Sequence, residues 1–340
     1  METSILKTTD VFAALKPEWN AVLHNSLADT PFLTHEWQQT WWACLGEGEL
    51  FVITVRDSGA LIGLAPLFIL AQPDAAGKVR RLLRLIGSVD ASDYLDLIAA
   101  RGREREVCEA LLAALAQSAD WDALDLYNVP AASTTRSILP KLVAARGWQF
   151  TAEPQVVCPI ITLPVAFEDY TQSLDKKERH ELRRKLRRGD GVEGLTWYAI
   201  TSDDQAHDLD AAAEAFIDLM MKSRADKSDF MTDRMRRFFH QMMRATHDGG
   251  FLHLAFLEVQ GVAVATYLSF DYNQKRLVFN SGLETTGFQA LSAGIVLVAR
   301  LIEDAIGRGY TEFDFLRGDE EYKYRLGAKD TWIYHLAVER

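Results

Sequence analysis

The residues most able to do chemistry lie between positions 313 and 327, where the sequence reads FDFLRGDEEYKYRLG. Asp314 stands between two phenylalanines in a strand-like, alternating stretch. Burial there would raise the pKa of its carboxyl group unless a cation or a donor compensates. Arg317 and Lys323 are close enough in sequence to supply that cation. Asp314 therefore belongs either to a structural ion pair at a strand-helix turn or to a catalytic group.

Tyr322 follows the same strand, on a predicted short helix. A phenol at that place can stand beside a reacting centre and exchange a proton with it. The alternative is simple packing against Leu326, one turn later. The corresponding strand of the first half is followed by NVPAAS, with no tyrosine or lysine. This difference favours a special role for Tyr322 and Lys323.

A second candidate site is the start of a predicted helix from Ser292 to Ile306. Free backbone amides and the positive end of the helix dipole together bind phosphate groups. Small residues at Ser292, Ala293 and Gly294 would let a pyrophosphate approach closely. The alternative is an ordinary amphipathic helix that Ser292 caps.

Basic residues are concentrated in residues 173–191, SLDKKERHELRRKLRRGDG, which predict a helix that ends at Gly189 and Gly191. Residues 176–188 contain eight Lys or Arg and two Glu, a formal charge of 8 - 2 = +6. Such a helix can bind nucleotide phosphates, an RNA backbone or an acidic sugar polymer. It can equally be a solvated face or a staple across two domains.

The predicted substrate contacts are Arg183 and Arg187 in this helix and Arg224 in the stretch MKSRADKSDF. Lys227 in the same stretch can extend the basic surface. A helix C-terminus also favours cations for electrostatic reasons alone.

The elements that must position these residues repeat along the chain. Each half opens with a predicted hairpin, 50–56 with 60–70 and 252–259 with 262–271, and continues with a strand, a helix and a strand. These are 94–99, 104–117 and 123–129 in the first half, and 276–283, 292–306 and 311–316 in the second. Helices over 207–222 and 233–245 precede the second hairpin. The pattern predicts two copies of one mixed α/β unit. Asp125 in the first copy corresponds to Asp314, which weakens the catalytic interpretation of Asp314.

Composition excludes several classes of protein. The 340 residues carry a net charge of -11, which opposes general adhesion to nucleic acid or to anionic membranes. The three cysteines are scattered and the eight histidines form no ligand pair, so we expect buried thiols and no metal. The N-terminus lacks a secretory leader, and the longest apolar stretch, 59–71, is below the ~20 residues of a membrane span. The sequence therefore predicts a cytoplasmic protein.

Four segments resemble FemAB/CelD-type proteins of the GNAT acyltransferase superfamily. They are FDFLRGDEEYKYRLGAKD (313–330), LSAGIVLVARLIEDAIGRGY (291–310), KKERHELRRKLRR (176–188) and PFLTHEWQQTWW (31–42). The resemblance implies two tandem GNAT-like domains, 1–165 and 166–340, in which the second holds acyl-CoA and contains the basic helix 173–189. The pyrophosphate would lie at Leu291 to Gly294. Asp314, Arg317, Gly318, Tyr322 and Lys323 would surround the acyl-transfer centre.

One departure from the family pattern concerns the donor. GNAT enzymes usually carry an Arg/Gln-x-x-Gly-x-Gly/Ala loop before this helix, whereas residues 286–294 read TGFQALSAG. FemAB relatives use aminoacyl-tRNA, which the basic helix 176–188 also suits.

Three functions therefore stand at this point. The first is acyl transfer from acyl-CoA to an amine or hydroxyl, on a small molecule or a glycan, in polysaccharide or cell-envelope metabolism. The second is aminoacyl transfer from tRNA, and the third is binding without catalysis. In the first, Tyr322 is the acid, Asp314 is the base or orients it, and Arg317 and Lys323 stabilise charge.

Overall fold

The structure, a computed structural model, describes residues 1–87 and 91–340, apart from the side chain of Gln289. The helices are α1 (Asp10–His24), α2 (His35–Leu45), α3 (Glu104–Gln117), α4 (Thr134–Ala144), α5 (Phe167–Ser173), α6 (Lys176–Asp190), α7 (Leu209–Ser223), α8 (Ala225–Phe230), α9 (Asp233–Asp248), α10 (Ala293–Gly307) and α11 (Glu321–Arg325). The strands are β1 (Glu2–Leu6), β2 (Glu49–Leu50), β3 (Val52–Asp57), β4 (Ala60–Ala65), β5 (Leu67–Pro73), β6 (Val79–Leu85), β7 (Ile98–Ala99), β8 (Ala123–Pro130), β9 (Gln149–Thr162), β10 (Leu195–Ile200), β11 (Leu252–Val259), β12 (Val262–Tyr272), β13 (Lys275–Leu283), β14 (Glu312–Asp314) and β15 (Lys329–Glu339).

The chain forms two compact units. Each unit contains helices and β-sheet, which confirms the predicted fold class of mixed α/β sheets. The first unit contains Met1–Val156 and Trp332–Arg340, and the second contains Val157–Thr331. The predicted division at residue 165 differs from these units in residues 157–165 and in the last nine residues. The reason lies in two long strands, β9 and β15, each of which begins in one unit and ends in the other. The alternating pattern of a strand does not mark where its contacts change.

In the first unit, a sheet of order β1-β3-β4-β7 accompanies strands of order β15-β8-β6-β5-β2. The predicted strand 60–70 is wrong as one strand, because it breaks at Pro66 into β4 and β5, which belong to different sheets. Proline has no amide hydrogen to donate to a ladder, so a strand that must change partners can do so there. Of the predicted strand 94–99, only Ile98–Ala99 is strand.

The second unit contains a sheet of order β10-β11-β12-β13-β14-β9. The predicted hairpin between β11 and β12 is confirmed, with positive φ at both Gln260 (51°) and Gly261 (78°), as a tight type I′ turn requires. Strands β13 and β14 are parallel and are joined through α10, so they form a β-α-β unit. Strands β6 and β8 of the first unit are also parallel.

Helices cover both faces of the second unit's sheet. Helix α10 is apolar along most of its length and packs on Val278, in one core cluster with Leu182 and Leu186 of α6. The neighbouring Phe279 points to the other face, where its ring lies 6.0 Å from that of Phe239 in α9. The sheet therefore holds α10 and α6 together on one face.

A fully buried arginine fixes α10 to the sheet at the beginning of β13. The guanidinium of Arg276 binds both carboxylate oxygens of Asp271 at 2.7 Å, and its Nη1 lies 2.9 Å from Asp304 Oδ2 in α10. Burial alone would raise the pKa of Asp271, but the hydrogen bonds and charge of Arg276 outweigh burial and lower this pKa. Arg276 therefore compensates two carboxylates in the interior.

Within residues 1–87 and 91–340, no helix is both long and apolar enough to cross a membrane. The same residues contain no cluster of three or more His, Cys, Asp or Glu that could hold a metal ion. All three cysteines are buried free thiols, and burial raises the pKa of Cys108 to about 12, which makes it a poor nucleophile.

We expect Arg276→Met to lower the free energy of unfolding by about 3 kcal/mol, because it leaves the largely buried Asp271 without its cation, whereas Asp304 keeps Arg308. The matched control is Lys275→Met at the adjacent position, where the pair with Glu312 is 42% and 32% exposed. Lys275→Met should lower the free energy of unfolding by about 1 kcal/mol or less. Urea unfolding of both variants measures these free energies. An equally small decrease in the two variants would contradict the role of Arg276.

Candidate active site

The candidate site begins where the two parallel strands β13 and β14 stop pairing. Their register joins Lys275 to Glu312 and ends with Leu277 opposite Asp314. Strand β14 ends there, whereas β13 continues to Leu283. From Val278 onward, the edge of β13 that faces β14 is no longer paired with β14. We call residues 278–283 on that side the open edge of β13.

The chain after β14 forms a turn over residues 315–318 that one buried ammonium group holds. Leu316 (φ 53°) and Gly318 (φ 112°) both have left-handed backbone angles. Lys323 is 3% exposed, and its Nζ donates to the carbonyls of Phe315 (3.2 Å), Leu316 (3.5 Å), Arg317 (2.9 Å) and Gly318 (3.0 Å) and pairs with Glu320 (2.8 Å). Its contacts therefore make Lys323 the residue that shapes this turn.

Asp314 is buried at the end of β14, and its Oδ1 accepts a hydrogen bond from the amide of Leu316 at 2.8 Å. This bond tightens the start of the turn, as an aspartate commonly does two residues before an amide. The ionic partner of Lys323 is Glu320. The side chain of Arg317 is partly buried beside the same turn.

Tyr322 lies on α11 against the turn, with its ring 5.8 Å from that of Phe315 and edge-on to it. It packs on the core cluster that includes Leu326, so the packing interpretation is also true of its ring. Its hydroxyl shares a hydrogen bond with the buried Tyr267, which raises the pKa of Tyr267 and lowers that of Tyr322. The hydroxyls of Tyr267 and Tyr322 are therefore hydrogen-bonded partners, and either phenol can donate or accept.

The pKa of the Tyr322 hydroxyl is nevertheless raised when all causes are taken together. Burial raises the pKa of its hydroxyl well above the ordinary value, and the charge of Glu320 adds to the rise. Tyr322 is therefore protonated throughout the neutral pH range, which is the state that a proton donor needs.

The start of α10 differs from an ordinary capped helix. Ser292 has left-handed angles (φ 55°, ψ 46°), and its side chain makes no capping hydrogen bond. Ser292 therefore occupies the N-cap position of α10, but its side chain does not cap the helix. Leu291 and Ala293 are buried in the core cluster, and a Cβ on Gly294 would lie 2.9 Å from Leu283. The side chains of Leu291 and Ala293 thus face protein, so these residues and Gly294 can serve a phosphate through their backbone amides.

The basic helix α6 packs beside that helix start. Arg188 donates from Nη1 to the carbonyl of Ala290 at 2.5 Å, directly before α10. Of the two glycines that were predicted to stop this helix, Gly191 is its C-cap, whereas Gly189 lies inside α6, which continues to Asp190. Gly189 is buried, and a Cβ there would lie 3.2 Å from Val296, so the glycine allows a close approach of α6 to α10. A positive side chain therefore stands next to the positive end of the α10 dipole.

The structure separates the three predicted substrate arginines. Arg183 binds Glu168 at 2.6 Å, and Arg187 is exposed on α6. Arg224 is exposed and pairs with Asp226, but its charge also helps to lower the pKa of Glu320 beside the turn. Arg224 thus has a charge that acts on Glu320, the ionic partner of Lys323.

Sequence reasoning singled out neither Tyr267 nor Glu320. Tyr267 lies in the apolar strand VAVATYLSF, where a tyrosine has no signal that distinguishes it from packing. Glu320 was one of several acids in a charged run. Only the fold brings Tyr267 to Tyr322, because the two are far apart in sequence.

Residues 176–324 match a protein family described as "Acetyltransferase (GNAT) domain". The match starts at α6 and ends within α11, so it contains α10, the open edge of β13 and the 315–318 turn. The predicted resemblance is confirmed. No curated protein matches the sequence significantly.

Solved structures share the fold over nearly the full length of this chain. The structure titled FemX is 13% identical, covers 98% of this chain and 97% of its own, and has a TM-score of 0.67. A C-terminal domain of a putative lysylphosphatidylglycerol synthetase from Agrobacterium fabrum (12%, 97% and 92%, 0.57) is also similar. So is L-PGS from Bacillus licheniformis (13%, 95% and 91%, 0.57). At these identities the likeness establishes the fold.

We expect Lys323→Met to destabilise the GNAT segment by about 3 kcal/mol, because buried carbonyls of the turn lose a charged donor. Amide hydrogen exchange in residues 315–318 should accelerate more than exchange elsewhere. Lys329→Met, at an exposed lysine that begins β15, is the control and should change neither quantity. Unchanged exchange in the turn of Lys323→Met would contradict the assigned role.

Proposed function

We propose that the protein is an acyltransferase that moves an acyl group from acyl-CoA to an amine or hydroxyl acceptor. The observation that carries this proposal is the open edge of β13 beside the start of α10, within the segment that matches the GNAT family. A thioester donor laid along such an edge can reach both a helix start and the 315–318 turn.

The proposed donor contacts are the backbone at Leu291, Ser292, Ala293 and Gly294 together with the guanidinium of Arg188. Helix starts bind pyrophosphate through unpaired amides and the dipole, and Arg188 adds a full positive charge. The uncapped, left-handed Ser292 supports this role, because its side chain leaves the amides to a ligand.

The reaction requires alignment more than a protein nucleophile, since the acceptor can attack the thioester carbonyl carbon directly. The bond to the acceptor forms, the carbon–sulfur bond breaks, and the thiolate needs a proton. Tyr322 is the proposed acid. Burial and the charge of Glu320 raise the pKa of its hydroxyl, so that it carries a proton to donate.

The other three predicted catalytic residues take supporting roles in this proposal. Asp314 orients the turn through the amide of Leu316, and Lys323 holds the four carbonyls that follow. Arg317, carried by that turn, is the proposed group that stabilises negative charge on the reacting carbonyl oxygen.

The acceptor class in this proposal is a small molecule or a glycan, as in polysaccharide or cell-envelope metabolism. Arg224 stands near the turn and is the proposed contact for an anionic part of that acceptor. Arg183 and Arg187 on α6 remain proposals for a more distant part of a long substrate.

We expect Tyr322→Phe to lower the turnover number about 100-fold or more, because the leaving thiolate loses its proton donor. The KM for the donor should stay nearly unchanged. Tyr324→Phe is a matched control two residues away, since that exposed hydroxyl binds Asp330 at 2.8 Å. Steady-state kinetics with thermal unfolding checks both variants, and a normal rate in Tyr322→Phe would remove this residue from the mechanism.

Calorimetric titration tests the proposed donor. We expect acetyl-CoA or a longer acyl-CoA to bind and to raise the melting temperature, since a ligand stabilises the state that binds it. Arg188→Gln should weaken this binding, whereas Arg105→Gln, at an exposed arginine of α3, should not. Binding of no acyl-CoA and no charged tRNA would favour the non-catalytic binding protein instead.

A second candidate is aminoacyl transfer from tRNA, which the FemAB resemblance implies. The exposed lysines and arginines of α6 favour it, because a row of cations suits a phosphate backbone. In this case charged tRNA binds in place of acyl-CoA, and affinity falls steeply with salt. Neutralising Arg183, Arg184 and Arg187 together would then reduce the slope of log affinity against log salt by about 2–3.

A further inference from the structure

Lys227 on the short helix α8 reaches the open edge of β13. Its Nζ lies 2.9 Å from Asn280 Oδ1 and 2.5 Å from the carbonyl oxygen of Ser281. Asn280 Oδ1 also accepts the amide of Ser281, which fixes the amide side chain. Two oxygens of known orientation therefore hold the amine.

The pairing of β12 with β13 determines the side on which Lys227 lies. The amide of Glu284 donates to Val264 in β12, and Tyr267 stands opposite Ser281. Because hydrogen-bonded and non-bonded pairs alternate in an antiparallel ladder, the Ser281 carbonyl points away from β12. Strand β14 pairs with the edge of β13 that lies opposite β12, and this pairing ends at Asp314, before Ser281 is reached. Lys227 therefore lies at the open edge of β13, along which the acyl-CoA would lie in the proposed function.

The charges around Lys227 come from two directions. Arg224 and Asp226 belong to its own helix region, and Glu320 comes from the turn before α11. Burial and the charge of Arg224 lower the pKa of Lys227 to about 8, although Glu320 and Asp226 oppose this shift. About half of the amine is then neutral at pH 8, whereas an ordinary lysine is almost fully charged.

A neutral amine at this place is prepared to accept a proton. It has two N–H groups and one lone pair, and Asn280 and Ser281 supply acceptors for both hydrogens. The lone pair is then left for a third partner. Lys227 is partly exposed, so such a partner can reach it from solvent.

We propose that Lys227 is the catalytic base that takes the proton from the attacking amine or hydroxyl of the acceptor. This inference rests on the proposed acyl transfer. As the bond to the carbonyl carbon forms and the carbon–sulfur bond breaks, the acceptor proton passes to Lys227 Nζ. The thiolate takes the proton of Tyr322. The lysine then releases its proton to solvent and the tyrosine regains one, so that charge and protons balance.

A purely structural role predicts a different response to substitution. A lysine that only satisfies the carbonyl of Ser281 can be replaced by arginine, which is also a donor. Arginine cannot lose its proton in a protein, so it cannot serve as a base. Lys227→Arg therefore separates the two roles, and Lys222→Arg, at an exposed lysine that pairs with Glu284, is the control.

The experiment measures acyl transfer from acetyl-CoA by the full chain between pH 6 and pH 10. We expect kcat/KM of the wild type to rise with pH and level off above about 8, because the base must be neutral. Lys227→Arg should lose about 100-fold in kcat and lose this rise, while its melting temperature and its calorimetric affinity for acetyl-CoA stay unchanged. Lys222→Arg should behave as the wild type.

Competitive labelling with acetic anhydride, read by mass spectrometry, gives a second result that does not depend on turnover. We expect the labelling of Lys227 to rise around pH 8. The assignment of Lys227 as the base is wrong if its labelling rises only above pH 10. It is also wrong if the wild type transfers acyl groups and Lys227→Arg is equally active. A wild type that transfers no acyl group from any donor overturns the proposed function, and the base with it.

Discussion

The candidate site depends on the buried ammonium of Lys323. Left-handed angles at Leu316 and Gly318 turn the chain sharply after β14, so four successive carbonyls cannot continue the sheet ladder. Buried carbonyls without donors would destabilise this turn, and one lysine with three N–H groups is compact enough to serve them together. Because the turn is held, β14 can end at Asp314 while β13 continues. The open edge of β13 therefore follows from one side chain five to eight residues further along the chain.

The first unit shows what the same strand order does without that lysine. Its parallel pair β6 and β8 also ends beside an aspartate, Asp125. This carboxylate binds Arg84 at 2.7 Å and His335 at 2.6 Å, instead of an amide of the following turn. Strand β8 then leads through Ser133, whose side chain caps α4. The parallel strand pair is repeated, whereas the turn that Lys323 holds belongs to the second unit.

The repeated order of elements and most helices of the second unit could be predicted, because apolar periodicity is a local property. The break at Pro66 and the passage of α6 through Gly189 could not, since both depend on which neighbour the chain meets: a second sheet in one case and Val296 in the other. The residues at 313–327 were recognisable by their types. Their roles were not, because a lysine that binds carbonyls and a lysine that binds substrate have the same sequence signature.

Burial acts in opposite directions on the two groups that are proposed to move protons. A low-dielectric environment favours the neutral form of any titratable group, so it raises the pKa of a phenol and lowers the pKa of an amine. Tyr322 and Lys227 show these two shifts, and in each case burial is the largest cause. Glu320 adds to the rise at Tyr322 and limits the fall at Lys227, because a negative charge disfavours both the phenolate and the neutral amine. One environment thus keeps the proposed acid protonated and leaves the proposed base available near pH 8, without a separate device for each.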